Sequence, residues 1–234
     1  MVEIQLYWVK IPDDVEMKEL DASLNILDKE ERAVYHRYRV DFKKVEFLIG
    51  RLLLKTQLGV RLQMSPEKIH FQKGEYGKLY LADRDIKAKG PTVHFNLSHS
   101  DRMVVCGFTT HGGIGVDVEY AERDNFAVMQ TVYATHEIAF VDTKQTVDEK
   151  LIAFYLLWTR KEAYIKALGT GFSLSPLTFS VPLEMGRVSQ AEWEYNTFRQ
   201  SRYMISTVTV RATAEEISYK IQGLDFHELL HMGT

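Results

Sequence analysis

The chain has a single cysteine, Cys106, so no disulfide can form within it. It lies in the apolar run Met103-Val104-Val105-Cys106-Gly107-Phe108, where a small buried hydrophobe is expected. That fits a reducing, cytoplasmic compartment. No Cys/His cluster has the spacing of a zinc site. No apolar run is as long as a membrane span, and Met1 to Leu6 shows no basic stretch followed by an apolar one, so neither a membrane nor a secretory route is expected. Charge of one sign is also lacking. The formal net charge is −3, which argues against a general nucleic-acid binder. What the 234 residues do have is apolar content, 45 %, and aromatic content, 12 %, enough for one large domain or two small ones.

One stretch organises the rest: Gly113-Ile114-Gly115-Val116-Asp117-Val118-Glu119. Its apolar and polar residues alternate with a period of two, which predicts a strand with Ile114, Val116 and Val118 inward. Asp117 and Glu119 then leave from the same side, with Cα atoms about 6–7 Å apart. Two carboxylates so placed can converge on a hard cation such as Mg²⁺. Gly115 leaves room beside them for a bulky ligand or a second backbone. Taken alone, an acidic solvent face of a strand is the commoner explanation.

Strands are expected over Ile4 to Val9, Val93 to Leu97, Met103 to Thr109, Phe179 to Val181, Trp193 to Phe198, Tyr203 to Val210 and Ile217 to Ile221. A charged helix opens at Asp28 and runs to about Arg39. A second recurs at helical spacing from Asp41 to Leu58 and stops at Gly59. Gly74-Glu75-Tyr76-Gly77 reads as a hairpin turn between Ile69–Lys73 and Lys78–Leu81, and Ser65-Pro66 as a turn or short 3₁₀ segment. Thr135 reads as a helix cap, and Tyr120 to Tyr133 as a loop with some helix. Leu151 to Leu168 is apolar all round in its first turns, so a mostly buried helix is expected, ending at Gly169. The last residues read as frayed.

The chain also resembles itself. Ile4, Leu6 and Trp8 overlie Ile114, Val116 and Val118; Leu58-Gly59 overlies Leu168-Gly169; Ser65-Pro66 overlies Ser175-Pro176. Each copy has a strand, a long helix ending in Leu-Gly, a Ser-Pro turn and more strands. The fold expected is α+β, with two similar α/β halves, residues 1–108 and 109–234, and a single site in the cleft between them.

Two more stretches carry chemistry. In Trp158-Thr159-Arg160-Lys161-Glu162-Ala163-Tyr164-Ile165-Lys166, Glu162 and Lys166 share one helix face. An exposed ion pair is the bland account, but the preceding turns are too apolar to be exposed. Phe95-Asn96-Leu97-Ser98-His99-Ser100 ends a strand in polar residues. No Gly-x-Ser-x-Gly elbow surrounds these serines, so an anion-binding loop is favoured over a nucleophile. A turn in which Asn96 and Ser98 bond their own backbone is the plain alternative.

These three stretches, in this order and spacing, resemble the Sfp-type 4′-phosphopantetheinyl transferases. The resemblance covers nearly the whole chain, including Gly74-Glu75-Tyr76-Gly77-Lys78 and the basic helices from Arg32 to Lys55. It implies two halves related by pseudo-two-fold symmetry. The implied reaction is transfer of the phosphopantetheine arm of coenzyme A to a serine of an acyl-, peptidyl- or aryl-carrier protein, by a monomeric enzyme. It implies Mg²⁺ at Asp117, Glu119 and Glu162, phosphate contacts from Lys161 and Lys166, and phosphate contacts from Ser98 and His99, those of His99 to the 3′-phosphate. Gly77 and Lys78 would lie along the adenine side, and Arg51 is a second candidate for the 3′-phosphate. Asp117, Glu162 and Lys166 would be catalytic, Glu162 as metal ligand or as base. The chain departs from the family at Leu79, where a proline is usual, and at Glu31 and Val34, where some members carry lysines. Two other classes remain in view, a Mg²⁺-dependent pyrophosphate hydrolase and a catalytically silent carrier-binding module. For carrier docking, Phe126, Val128 and Met129 are the apolar residues expected near the acidic strand.

Overall fold

The structure is a computed structural model, which describes residues 2–82, 92–211 and 216–233. In chain order its strands are β1 Val2–Lys10, β2 Phe71–Lys73, β3 Leu79–Leu81, β4 His94–Ser100, β5 Met103–Thr109, β6 Ile114–Tyr120, β7 Gly186–Gln190, β8 Trp193–Gln200, β9 Tyr203–Val210 and β10 Ile217–Leu224. Its helices are α1 Lys29–Arg37, α2 Asp41–Leu62, α3 Met129–Val132, α4 Thr135–Asp142, α5 Val147–Leu168 and α6 Phe226–Met232. No described helix is long and apolar enough to cross a membrane.

Two four-stranded sheets form, ordered β10-β1-β5-β4 and β6-β9-β8-β7, beside the small hairpin β2-β3. Period-two alternation sorts the core into layers. On β1, Ile4 and Leu6 face the second sheet's Ile114, Val116 and Ile205, while Tyr7 and Val9 face α2. Across the second sheet, Met204 and Val208 face α5. The order is therefore helix, sheet, sheet, helix. Each fully buried Leu or Ile in these layers contributes about 1.5–3 kcal/mol.

The same connectivity recurs. Strand β1, helix α2 and the pair β4-β5 assemble as β1-β5-β4; strand β6, helix α5 and the pair β8-β9 assemble as β6-β9-β8. The expected boundary at 108/109 is nevertheless crossed. β10 runs parallel to β1, with Leu6 opposite Ile221, and completes the first sheet. α6 follows it onto α2, burying Phe226, Leu229 and Leu230. The chain end is thus a helix, not a frayed tail. Asp225 caps it, its Oδ1 accepting from the backbone N–H of His227 at 2.9 Å and of Glu228 at 3.0 Å.

Other differences are local. α2 continues through Gly59 to Leu62 and ends on Gln63 in a left-handed conformation, φ 52°. Its packing outweighs the modest helix cost of one glycine. α4 starts one residue after Ala134, and Thr135 is its first helical residue, because Glu137 rather than Thr135 satisfies the free N–H of Ala134, at 2.8 Å. Phe179 to Val181 is extended but unpaired, while the polar edge strand β7 escapes the alternation signal. α5 begins at Val147 behind a capping box of Thr146 and Glu149.

Candidate active site

The site lies where the edges of the two sheets meet. β6 is an edge strand, so half its backbone N–H groups lack a ladder partner, and burying them bare would be costly. Side chains of β4 take the place of a strand. Asn96 Oδ1 accepts from Val116 N at 2.8 Å, Ser98 Oγ from Val118 N at 3.4 Å, and Ser100 Oγ from Tyr120 N at 3.2 Å. The two hydroxyl groups then donate onward, Ser98 to Asp117 Oδ1 at 3.0 Å and Ser100 to Glu119 Oε2 at 2.6 Å. Ser98-His99-Ser100 is therefore ladder, paired to β5, not the polar loop expected. The period of two in Asn96-x-Ser98-x-Ser100 was the available signal that Asn96 and Ser100 bond a neighbouring strand, a role expected of neither.

β6 presses its other face on α5. A Cβ on Gly115 would overlap the Ala163 carbonyl oxygen, so only glycine allows this approach. The room beside the carboxylates is filled by the helix backbone. From the same two turns of α5, Glu162 and Lys166 face Asp117. Lys166 Nζ donates to Asp117 Oδ1 at 2.6 Å and to Ser98 Oγ at 2.8 Å. Asp117 is 3 % exposed, which excludes the solvated acidic face.

Electrostatically the cluster is crowded with negative charge. Burial raises the Asp117 carboxyl above its usual range, against the pull of Lys166. Burial, then the Asp117 charge, raises Glu119 as well. Glu162 is pushed up to about 6 by burial and by repulsion from Asp117. Among the described residues no three carboxylate, His or Cys side chains already stand at metal-ligand spacing; Lys166 is the cation in contact. The donor set still fits a hard divalent ion. Asp117 Oδ2 is buried with no hydrogen-bond partner, and two more carboxylates crowd it.

Above this cluster opens a cleft of about 810 Å³, walled by α1, α2, the β2-β3 hairpin, β4 and the C-terminal turns of α5. Arg51, Gly77, Lys78, Ser98, His99, Glu162 and Lys166 all line it. Asp117 lies behind Ser98 and Lys166. Arg51 is not free: its Nε lies 2.8 Å from Glu31 Oε1, and its guanidinium covers the Phe47 ring at 4.7 Å. Lys78 donates to the carbonyls of Ile114, Lys166 and Ala167, capping the end of α5, and burial lowers its pKa to about 8. Gly77 makes the hairpin turn at φ 83°. His99 Nδ1 sits 3.3 Å from Glu46 Oε1; burial lowers the imidazole pKa. Glu46, a buried carboxylate on the wall, was not anticipated.

One expectation is corrected. Lys161 does not reach the cleft. It is buried beneath α5, with Nζ 2.9 Å from Glu137 Oε2 and donating to the carbonyls of Pro176 and Phe179 at 2.7 Å each. On the helix it lies one residue, about 100°, from Glu162, so the two cannot share a face. Phe126, Val128 and Met129 are partly buried against the second core, Phe126 edge-on to Phe154 at 5.7 Å. Each packs against this core with part of its side chain still exposed.

A carboxylate cluster with one lysine at the floor of a cleft can hold a divalent ion, and with it can carry group transfer on a phosphorylated substrate. The comparisons agree. Residues 113–212 match the family model described as the 4′-phosphopantetheinyl transferase superfamily, and residues 14–110 match that of the 4′-phosphopantetheinyl transferase N-terminal region. The chain is 32 % identical to the 4′-phosphopantetheinyl transferase gsp of Aneurinibacillus migulanus over 168 residues, 72 % of this chain and 67 % of that one. It is 30 % identical to the transferase ffp of Bacillus subtilis, covering 83 % and 84 %, and 29 % identical to Sfp of Bacillus subtilis strain 168, covering 80 % of each. The protein belongs to the 4′-phosphopantetheinyl transferase family.

Proposed function

We propose that this enzyme transfers the 4′-phosphopantetheine arm of coenzyme A to a serine of an acyl-, peptidyl- or aryl-carrier protein, with Mg²⁺ held by Asp117, Glu119 and Glu162. The observation that carries this reading is the cluster of Asp117, Glu162, Lys166 and Ser98 at the floor of the cleft. When bound, the ion would neutralise pyrophosphate charge and stabilise the departing phosphate oxygen. The chain's own residues do the rest by position and charge. Lys166 supplies a fixed cation where the pyrophosphate bond breaks. Ser98 and Lys166 hold Asp117 in one rotamer and leave its Oδ2 open. Glu162, with a pKa of about 6, is ionised near neutral pH and can take the proton of the carrier serine. The serine oxygen bonds to the pantetheine-bearing phosphorus, the pyrophosphate P–O bond breaks, and adenosine 3′,5′-bisphosphate leaves.

The test is mass spectrometry of apo acyl-, peptidyl- and aryl-carrier proteins after incubation with the protein, coenzyme A and Mg²⁺. The expected result is one added phosphopantetheine on at least one carrier. Coenzyme A consumed without any carrier would instead mark a pyrophosphate hydrolase, and no consumption in either case a binding module.

A further inference from the structure

Lys78 belongs to the β2-β3 hairpin, but its ammonium is turned to the two elements that carry the carboxylate cluster. Nζ donates to the carbonyl of Lys166 at 2.6 Å and to those of Ile114 and Ala167 at 3.2 Å each. An ammonium has three N–H groups, and here three carbonyls take them. The carbonyls of Lys166 and Ala167 lie in the last turn of α5, whose final C=O groups have no partner within the helix. A cation is favoured there by the helix dipole as well. Ile114 opens β6, three residues before Asp117. One ammonium thus joins the start of the strand bearing Asp117 and Glu119 to the end of the helix bearing Glu162 and Lys166. The hairpin is seated directly on this helix end. A Cβ on Gly169 would lie 3.4 Å from Lys78 Cδ, and one on Gly171 only 2.7 Å from Tyr76 Cβ. Lys166 is therefore held twice. Its Nζ donates to Asp117 Oδ1 at 2.6 Å and to Ser98 Oγ at 2.8 Å, while its carbonyl accepts from Lys78. A shift of the last turn of α5 would carry that Nζ away from Asp117.

We infer that Lys78 is a positioning residue, which acts on the reaction through the backbone of Lys166 and Ile114 by fixing where the Lys166 ammonium stands relative to Asp117. This role differs from the coenzyme contact that the family resemblance implies for Lys78, because its three N–H groups are already directed at protein carbonyls. The inference rests on the transferase reading above.

The experiment measures kcat and KM for coenzyme A with an apo-carrier near pH 7, where Lys78, with a pKa of about 8, is still an ammonium. Lys78→Met removes the N–H groups at similar volume. It should lower kcat by about 10- to 100-fold, the scale of a small misplacement of a catalytic group, with KM within about threefold of wild type. Lys78→Arg keeps a cation with N–H groups for the carbonyls and should recover most of kcat. In a Lys166→Ala background, assayed with enzyme in excess, Lys78→Met should cost less than about threefold more, because the group it positions is gone. Should Lys78→Met not fold, Lys78→Gln, which keeps two N–H groups, takes its place. A raised KM at unchanged kcat marks a donor contact and overturns the inference. Unchanged kinetics, losses that multiply in the double variant, or a folded Lys78→Arg that recovers nothing overturn it too. Loss of the fold in both uncharged variants overturns it in favour of a purely structural cap. A wild-type protein that transfers nothing from coenzyme A overturns the transferase reading instead.

Discussion

Glu162→Gln should make the protein more stable and less active, and the size of the gain follows from the site. In the folded, metal-free protein the Glu162 carboxyl is raised from 4.5 to about 6, chiefly by burial and the Asp117 charge. An acid whose folded pKa lies above its unfolded value is destabilising once ionised. The cost is absent below about pH 4.5, grows as pH rises to about 6, and is complete above that. At about 1.36 kcal/mol per tenfold change in acidity it amounts to about 2 kcal/mol. Glutamine keeps the size and removes the charge. Thermal or urea unfolding without metal should therefore show equal stability near pH 4 and about 2 kcal/mol in favour of the variant near pH 8. For a chain of this size that is roughly 4–8 °C in Tm. Saturating Mg²⁺ should reverse the order, because it binds the folded wild type better. The same variant separates the two roles of Glu162. Recovery of most of kcat at high Mg²⁺ marks a ligand; a residual loss of ~10²–10⁴-fold marks a base. A gain in stability that does not depend on pH, or a variant less stable near pH 8, would refute the reasoning.

Asp117→Asn should abolish Mg²⁺-dependent turnover with the fold intact by circular dichroism; near-normal turnover would sink the metal assignment. Lys161→Met leaves the fully buried Glu137 without its cation and should cost about 3–5 kcal/mol of unfolding free energy, with the KM for coenzyme A unchanged in whatever folds. A raised KM at normal stability would return Lys161 to the cleft. Gly115→Ala drives a methyl into the α5 backbone and should cost about 1–3 kcal/mol and much of the activity. A fully active, equally stable variant would show that β6 and α5 need not touch there.

The parts legible in the sequence were those whose cause is local. Alternation over Ile114 to Glu119 marked β6, and the apolar turns before Glu162 marked a helix that had to be buried. The spacing of three short stretches marked the family. Lys161 and Glu162 are neighbours in the chain, and both are charged, so the sequence did not separate them. The helix did, sending one to Glu137 and the other to the cleft. The Asn96, Ser98 and Ser100 side chains look like a loop until a second sheet edge is there to need their oxygens. Glu46 reads as an ordinary charge on a basic helix, and only its neighbours Lys43 and His99 make it part of the cleft wall. β10 has no local reason to prefer one sheet over the other. The free edge of β1 and the groove beside α2 decide that the last strand returns across the molecule, because there its backbone is paired and Phe226 and Leu229 are buried.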